Sequence, residues 1–468
     1  MLEHERVLAV STPAQQAGIQ PGMRRGGALM LAPALRLHQR DPLREAEALQ
    51  AVALALLQYT PLVTAAEQAT LLIDIGASLR LFGGLGALCR RIGTDLQTLG
   101  FTAALSCAPT ARGAWLLAQG GWPLRRARTV KLATLVRRLD RLPVTCLPPA
   151  QPYLDWLDGI GCRTLGQLRA LPRPGLQRRC GRALLDMLDG AHGQTPELFE
   201  WIVAPASFQA RLELFDRVEQ ADALLFGAHR LLLQMTGWLC AHQCAVERVV
   251  LLLEHERGRV ARPPTTVELV LAEPTWRDDH LLRLLRERLG QLLLEAPVIG
   301  LVLEAPRLAP MAPPSASLFP EPGGSPEDRQ RLFELLVARL GEDNVLQAAP
   351  LADYRPERAN AWLPLRHKVR PAARQAQLPP DGCSLPRPGW LLTRPVALLL
   401  RDHRPFYGSP LTLVSAPERI EAGWWGEAQT RDYFIAEGHD HAHYWLYRER
   451  PSGTTGDTPR WYLHGLFA

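Results

Sequence analysis

The amino-acid sequence reads as an α+β chain of several domains, on three grounds. Its opening third runs β, α, then α, β, α, β, α, an order that suits an antiparallel sheet with helices on one face rather than a doubly wound one. The stretch from Phe208 to Leu303 runs βαββαβ, the split order of ferredoxin-like domains. Residues 389–468 alternate aromatic and polar positions, as antiparallel strands do. A length of 468 residues is also too great for a single core.

Composition bounds the class. Hydrophobic residues make up 47% and charged residues 21%, ordinary for a soluble globular chain. No apolar run approaches the roughly 18–20 residues that span a bilayer. The sequence does not open on a basic-then-apolar signal segment, so the expected address is a bacterial-type cytoplasm. The eight cysteines are scattered in apolar contexts, as reduced buried thiols are. The tightest group, Cys240-Ala-His242-Gln-Cys244, lacks a second ligand pair at zinc-like spacing and reads as a helix-to-strand junction. A net charge of +6, carried by Arg rather than Lys, permits polyanion binding.

Each element follows from local signals. Val7–Val10 reads as a short strand, and Ser11–Met23 as a small helix closed by Gly18 and a Pro21-Gly22 turn. Asp41–Tyr59 is Ala/Leu-rich at helical spacing and is broken by Thr60-Pro61. A strand is expected at Leu71–Ile75, a helix at Gly84–Leu99, a strand at Phe101–Ser106 and a helix at Ala111–Ala118.

Leu157-Asp-Gly159-Ile160-Gly161-Cys-Arg163-Thr164-Leu-Gly-Gln-Leu168 has the form of a helix-hairpin-helix. Its glycines let backbone N–H groups approach a phosphate oxygen with no Cβ in the way. Such a grip holds the nucleic-acid backbone and reads no sequence. Arg178 and Arg179 extend the basic surface. Past the ferredoxin-like region, residues 307–326 form a Pro/Ala/Ser linker, followed by an amphipathic helix over Pro326–Leu340.

The run from Ala66 to Gly84 resembles the palm strand of Y-family, lesion-bypass DNA polymerases. In that family the strand carries an Asp-Glu pair beside two metal ions. Matching Ile73-Asp74-Ile75-Gly76 to the end of the family strand places Ala69 and Thr70 where the acids belong. Neither can hold the paired cations of two-metal phosphoryl transfer. Asp74 lies further along the strand and reads as structural, while Gln15 and Gln16 stand where active members carry an arginine for the triphosphate. The hairpin matches the family's thumb and the βαββαβ region its little finger, against whose sheet duplex would lie, held by residues such as Arg248. Ser315-Ala316-Ser317-Leu318-Phe319 resembles the peptide that bacterial polymerases insert into the sliding clamp, and Gln375–Pro379 is a second candidate.

The tail motifs are Ala416–Trp425, Arg431–Phe434, Tyr444–Arg450 and Trp461–Ala468. They resemble the ImuB group, catalytically inactive Y-family relatives of bacterial mutagenesis cassettes. Arg419, Trp424, Trp425, Arg431 and Tyr433 are expected to form a basic-aromatic surface for bases or a partner, with Trp445 and Trp461 as core.

This resemblance implies a palm and fingers over 1–135 without the first palm strand, a thumb over 136–204 and a little finger over 205–306. It further implies the linker at 307–326, a helix with a poorly ordered stretch at 327–388, and a partner or DNA region at 389–468. A late annotated start is the expected reason for the missing strand. The implied role is an adaptor in error-prone translesion synthesis, without catalytic residue, metal or cofactor. Its implied partners are primer-template DNA, the sliding clamp, a RecA-like accessory protein and an error-prone DnaE-type polymerase. Two rival readings are a working polymerase with a rearranged metal site and a DNA-binding repair factor that never meets the clamp.

Overall fold

The computed structural model describes residues 1–67, 69–121, 127–256, 262–311, 326–351, 353–365, 386–423, 429–450 and 460–467. They fall into two compact units, Met1–Leu335 and Leu336–Ala468.

The first unit opens with a small lobe: β1 (Leu2–Glu3) paired with β2 (Arg6–Val7), then α1 (Thr12–Gln16) and α2 (Arg25–Leu31). Leu2, Val7, Ala14, Ile19 and Ala28 form its own core. The strand is thus shorter than Val7–Val10, and α2 went unforeseen because Arg24-Arg25-Gly26-Gly27 carries no helix signal. Helix α3 (Pro42–Leu56) starts where Asp41 caps it, Oδ1 accepting the N–H groups of Leu43 at 3.1 Å and Arg44 at 3.2 Å. β3 (Val63–Ala66) and β4 (Thr70–Ile73) pair antiparallel, followed by α4 (Leu85–Thr98), α5 (Ala111–Gln119) and α6 (Leu132–Leu139).

The expected strand at Phe101–Ser106 does not form. Its residues alternate as a strand should, yet no ladder partner lies beside them among the described residues, and Cys107 alone bridges Arg128. β3 and β4 therefore form a two-stranded hairpin in the described residues rather than part of a broad antiparallel sheet.

Four short helices follow: α7 (Leu154–Gly159), α8 (Leu165–Ala170), α9 (Arg173–Cys180) and α10 (Arg182–Ala191). Leu157, Leu165, Leu168, Leu176 and Leu184 bury into a common core with Trp115, Leu116 and Leu135. Next come β5 (Gln209–Val218), α11 (Leu224–His242), β6 (Cys244–His255), β7 (Thr265–Thr275), α12 (Asp278–Gly290) and β8 (Val298–Pro310). This is the βαββαβ order read from the sequence, with a four-stranded antiparallel sheet ordered β5-β8-β6-β7. The Cys240–Cys244 segment is indeed the helix-to-strand junction, turned by Gln243 at φ 52°.

Helix α11 is apolar nearly all round because two surfaces bury it: the sheet on one side and α3 on the other. Two glycines make that possible. A Cβ on Gly227 would lie 2.8 Å from Leu301 Cδ1, and one on Gly237 would lie 1.8 Å from the carbonyl oxygen of Leu54. At Gly237 the two helices touch backbone to backbone. Helix α13 (Pro326–Leu340) follows; its Glu334 accepts the Ala272 N–H at 2.7 Å on edge strand β7 and meets His280 Nε2 at 2.6 Å.

In the second unit, β9 (Leu346–Pro350) and β10 (Asn360–Pro364) form a hairpin within the stretch read as poorly ordered. Helical and strand periods are both weak there, so Pro and Arg content dominated the reading. An eight-stranded antiparallel sheet completes the unit: β11 (Trp390–Arg401), β12 (Arg404–Tyr407), β13 (Ser409–Pro410), β14 (Thr412–Leu413), β15 (Glu418–Ala422), β16 (Gln429–Glu437), β17 (His443–Glu449) and β18 (Trp461–Leu466). No helix among the described residues is long and apolar enough to cross a membrane.

Candidate nucleic-acid interface

The hairpin between α7 and α8 is built as its sequence demands. Gly161 adopts φ +76°, a conformation open to glycine, and a Cβ at Gly159 or Gly161 would meet nothing within 4 Å. The backbone is thus bare toward solvent, with Ile160 half exposed at the tip. Thr164 caps α8 by accepting the Gln167 N–H at 3.3 Å. Gln167 Oε1 in return accepts the N–H groups of Arg163 at 2.8 Å and Thr164 at 3.1 Å. Two backbone donors therefore converge on one oxygen at the mouth of the turn.

Charge surrounds this mouth. Arg163 Nε lies 3.0 Å from Asp158 in an open ion pair, the kind worth at most about 1 kcal/mol and readily exchanged for a phosphate. Arg179 stacks over Trp156 of α7, 4.6 Å from the ring centre, which sets its guanidinium beside the hairpin. Neither Arg178 nor Arg179 makes an ion pair among the described residues. The fold thus brings Gly159, Ile160, Gly161, Arg163 and Thr164 together on one hairpin, with Arg178 and Arg179 on α9 and Arg179 stacked against the hairpin's Trp156. Gln167 was missed in the sequence, although Thr-x-x-Gln at a helix start is a readable capping signal.

Arg248 stands apart. It lies on the open face of the four-stranded sheet, where its Nε is 2.6 Å from Glu268. Arg211 on the same face pairs with Glu254 at 3.0 Å, and Gln209 binds Glu304 at 2.7 Å. Both cations are neutralised within the sheet.

At the palm, Ala69 sits in the turn between β3 and β4 with φ +51°, and Thr70 opens β4. The indole N–H of the buried Trp115, from α5, donates to Thr70 Oγ1 at 3.2 Å. Asp74 follows β4, its Oδ1 accepting the Gly76 N–H at 2.9 Å in a local turn. No group of three or more His, Cys, Asp or Glu side chains is placed to hold a metal ion among the described residues.

The tail surface differs from its expectation. Arg419 pairs in register with Asp432, whereas Arg431 and Tyr433 lie on the opposite face of β16. Arg431 and Tyr433 are buried, with Arg431 Nη1 2.9 Å from Glu357 and 3.2 Å from the Tyr433 hydroxyl. They belong to an internal cluster in which Tyr433 stacks on Trp445 at 4.1 Å and His464 Nδ1 lies 2.9 Å from the Tyr433 hydroxyl. Burial pushes the His464 imidazole down to about 4, so it is neutral at pH 7. Arg431 and Tyr433 therefore cannot share a surface with Arg419. Trp445 is core as expected, and Trp461 is half buried. Trp424, Trp425, the 315–319 peptide and the 375–379 candidate lie outside the described residues.

The whole chain has close relatives in kind. The family described as impB/mucB/samB matches residues 2–119. Protein ImuB of Caulobacter vibrioides strain NA1000 / CB15N is 29% identical over 476 positions, covering 96% of this chain and all of that protein. Protein ImuB of strain ATCC 19089 / CB 15 matches to the same extent. The chain is thus similar to the ImuB proteins over nearly its whole length, and to the impB/mucB/samB family over its opening quarter. Among solved structures, a Dbh ternary complex overlays with TM-score 0.35 and 16% identity, covering 66% of this chain and 90% of that one. DinB from Sulfolobus solfataricus overlays with TM-score 0.33 and 16% identity, over 64% and 86%.

Proposed function

We propose that this chain is a non-catalytic, polymerase-shaped adaptor of translesion synthesis. It holds primer-template DNA without sequence preference through the thumb hairpin. The linker peptide Ser315–Phe319 binds the sliding clamp, and the tail recruits a RecA-like accessory protein and an error-prone DnaE-type polymerase in the bacterial cytoplasm.

The observation that carries this reading is the palm turn. Where the family aligns its Asp-Glu pair, this chain has an alanine in a left-handed turn and a threonine whose hydroxyl is bonded to a buried tryptophan. Neither residue offers a carboxylate, and phosphoryl transfer by two metals needs such ligands. The likeness to the ImuB proteins over nearly the full chain supports the same reading.

The test is clamp capture by the full chain and by a Leu318→Ala, Phe319→Ala variant, with primer extension on the same preparations. Capture that depends on both residues, without extension, is the expected result. Metal-dependent nucleotide incorporation by clean protein would overturn it in favour of a working polymerase. Clamp-independent DNA binding would leave a general repair factor.

A further inference from the structure

The tail sheet carries a cationic site that the palm and thumb do not explain. Asp432 is 1% exposed, and three guanidiniums meet it from three different places in the sheet. Arg419 Nε of β15 lies 2.9 Å from Oδ1, while Arg448 Nη2 at the end of β17 and Arg450 Nε just beyond it lie 3.1 and 2.9 Å from Oδ2. Each arginine spends one nitrogen on the aspartate. The side chains remain 47%, 34% and 48% exposed, so their other donors face solvent.

One carboxylate cannot balance three guanidiniums. Burial would push the Asp432 carboxyl up, but the hydrogen bonds from the three arginines outweigh it and hold the group down at about 2. It is therefore ionised throughout the physiological range, and a fixed excess of positive charge stays at the surface. Glu421, two residues along β15 from Arg419, faces the same side and offsets part of that excess. The same face also carries Trp461, packed against Phe434 with ring centres 5.2 Å apart and with the Arg448 guanidinium 5.9 Å from its centre.

We infer that this cluster is a phosphate-binding site for single-stranded DNA. The inference rests on the reading that the chain holds DNA, and it adds a second grip remote in sequence from the hairpin. Proximity argues for phosphate. All three guanidiniums are anchored on one carboxylate, so their remaining donors are gathered on one small patch of the sheet. A tetrahedral phosphate, with oxygens on several sides, suits such a set better than peptide carboxylates, whose spacing along an extended chain is about 7 Å for same-face residues. Asp432 pre-pays the ordering of the three long side chains, which would otherwise weaken the contact. The half-buried indole beside Arg448 supplies an apolar surface for the neighbouring nucleotide.

The experiment is fluorescence anisotropy of the full chain on a short single strand and on a duplex, across a salt series. Its key variant is Arg448→Gln, Arg450→Gln, which leaves Arg419 to satisfy Asp432. Single-strand affinity should fall about tenfold, and the slope of log K against log salt should shrink by about 0.7, one single-strand phosphate contact. Arg448→Lys, Arg450→Lys should keep the slope, and Arg419→Gln alone should lower it by about half as much, which guards against misfolding of the double variant. An unchanged slope in both Gln variants, with wild type binding DNA and the thumb variant Gln167→Glu weakening duplex, would overturn this inference alone. Absence of binding to either DNA by wild type would remove the underlying DNA reading as well. Wild-type capture of polyglutamate that is lost with Arg448 and Arg450, while DNA binding is unchanged, would reassign the site to an acidic peptide.

Discussion

Thr70 and Ala69 show how little a side chain needs to change for its surroundings to follow. Thr70 anchors Trp115 by a hydrogen bond, so Thr70→Val should cost about 1 kcal/mol of stability, read by denaturant unfolding. Ala69 holds a left-handed conformation that an L residue adopts at about 1 kcal/mol, so Ala69→Gly should stabilise the first unit by a similar amount. His464 gives a pH dependence of definite sign. Its imidazole titrates at about 4 in the folded protein and near 6.5 when unfolded, so the unfolded chain binds the extra proton between these values. Stability is therefore full above pH 6.5 and is lost as pH falls toward 4, by about 3 kcal/mol in all. Calorimetry at pH 7 and pH 5 should place the loss in the second unit, and His464→Gln should flatten it.

Elements differed in how openly the sequence announced them. The βαββαβ region was legible because its strands are runs rich in valine and leucine and α11 and α12 are long. The hairpin was legible because Gly159 and Gly161 have few other uses at that spacing. Phe101–Ser106 misled because alternation identifies a strand-like surface but says nothing of whether a neighbour exists to pair with it. The tail site was misassigned for a related reason. Face membership depends on register, and adjacent residues such as Arg431 and Asp432 point to opposite sides, so composition alone groups residues that the sheet separates. At the thumb, Gln167→Glu should preserve the capping box and leave the melting temperature nearly unchanged. It would place a carboxylate where two N–H groups converge, and duplex affinity in an anisotropy assay should drop several-fold.

In the first unit, α3 and α11 meet through Gly237 without an intervening side chain. Alanine ordinarily favours a helix over glycine by about 1 kcal/mol, yet Gly237→Ala should destabilise this unit by about 3 kcal/mol, because the added methyl has only the Leu54 carbonyl to occupy. On the proposed function, chelation with EDTA should leave DNA binding unchanged.

That helix pair also sets a schedule for biosynthesis. The residues of α3 from Val52 to Leu56 are buried in the finished fold, but their partner on α11 is roughly 180 positions later in the chain. At ordinary translation speeds α3 leaves the ribosome about ten to forty seconds before the surface that will cover it. During that interval its apolar stripe is open to solvent and to other nascent chains. Yield of the protein in a cell should consequently depend on translation rate and chaperone supply more steeply than its equilibrium stability would indicate.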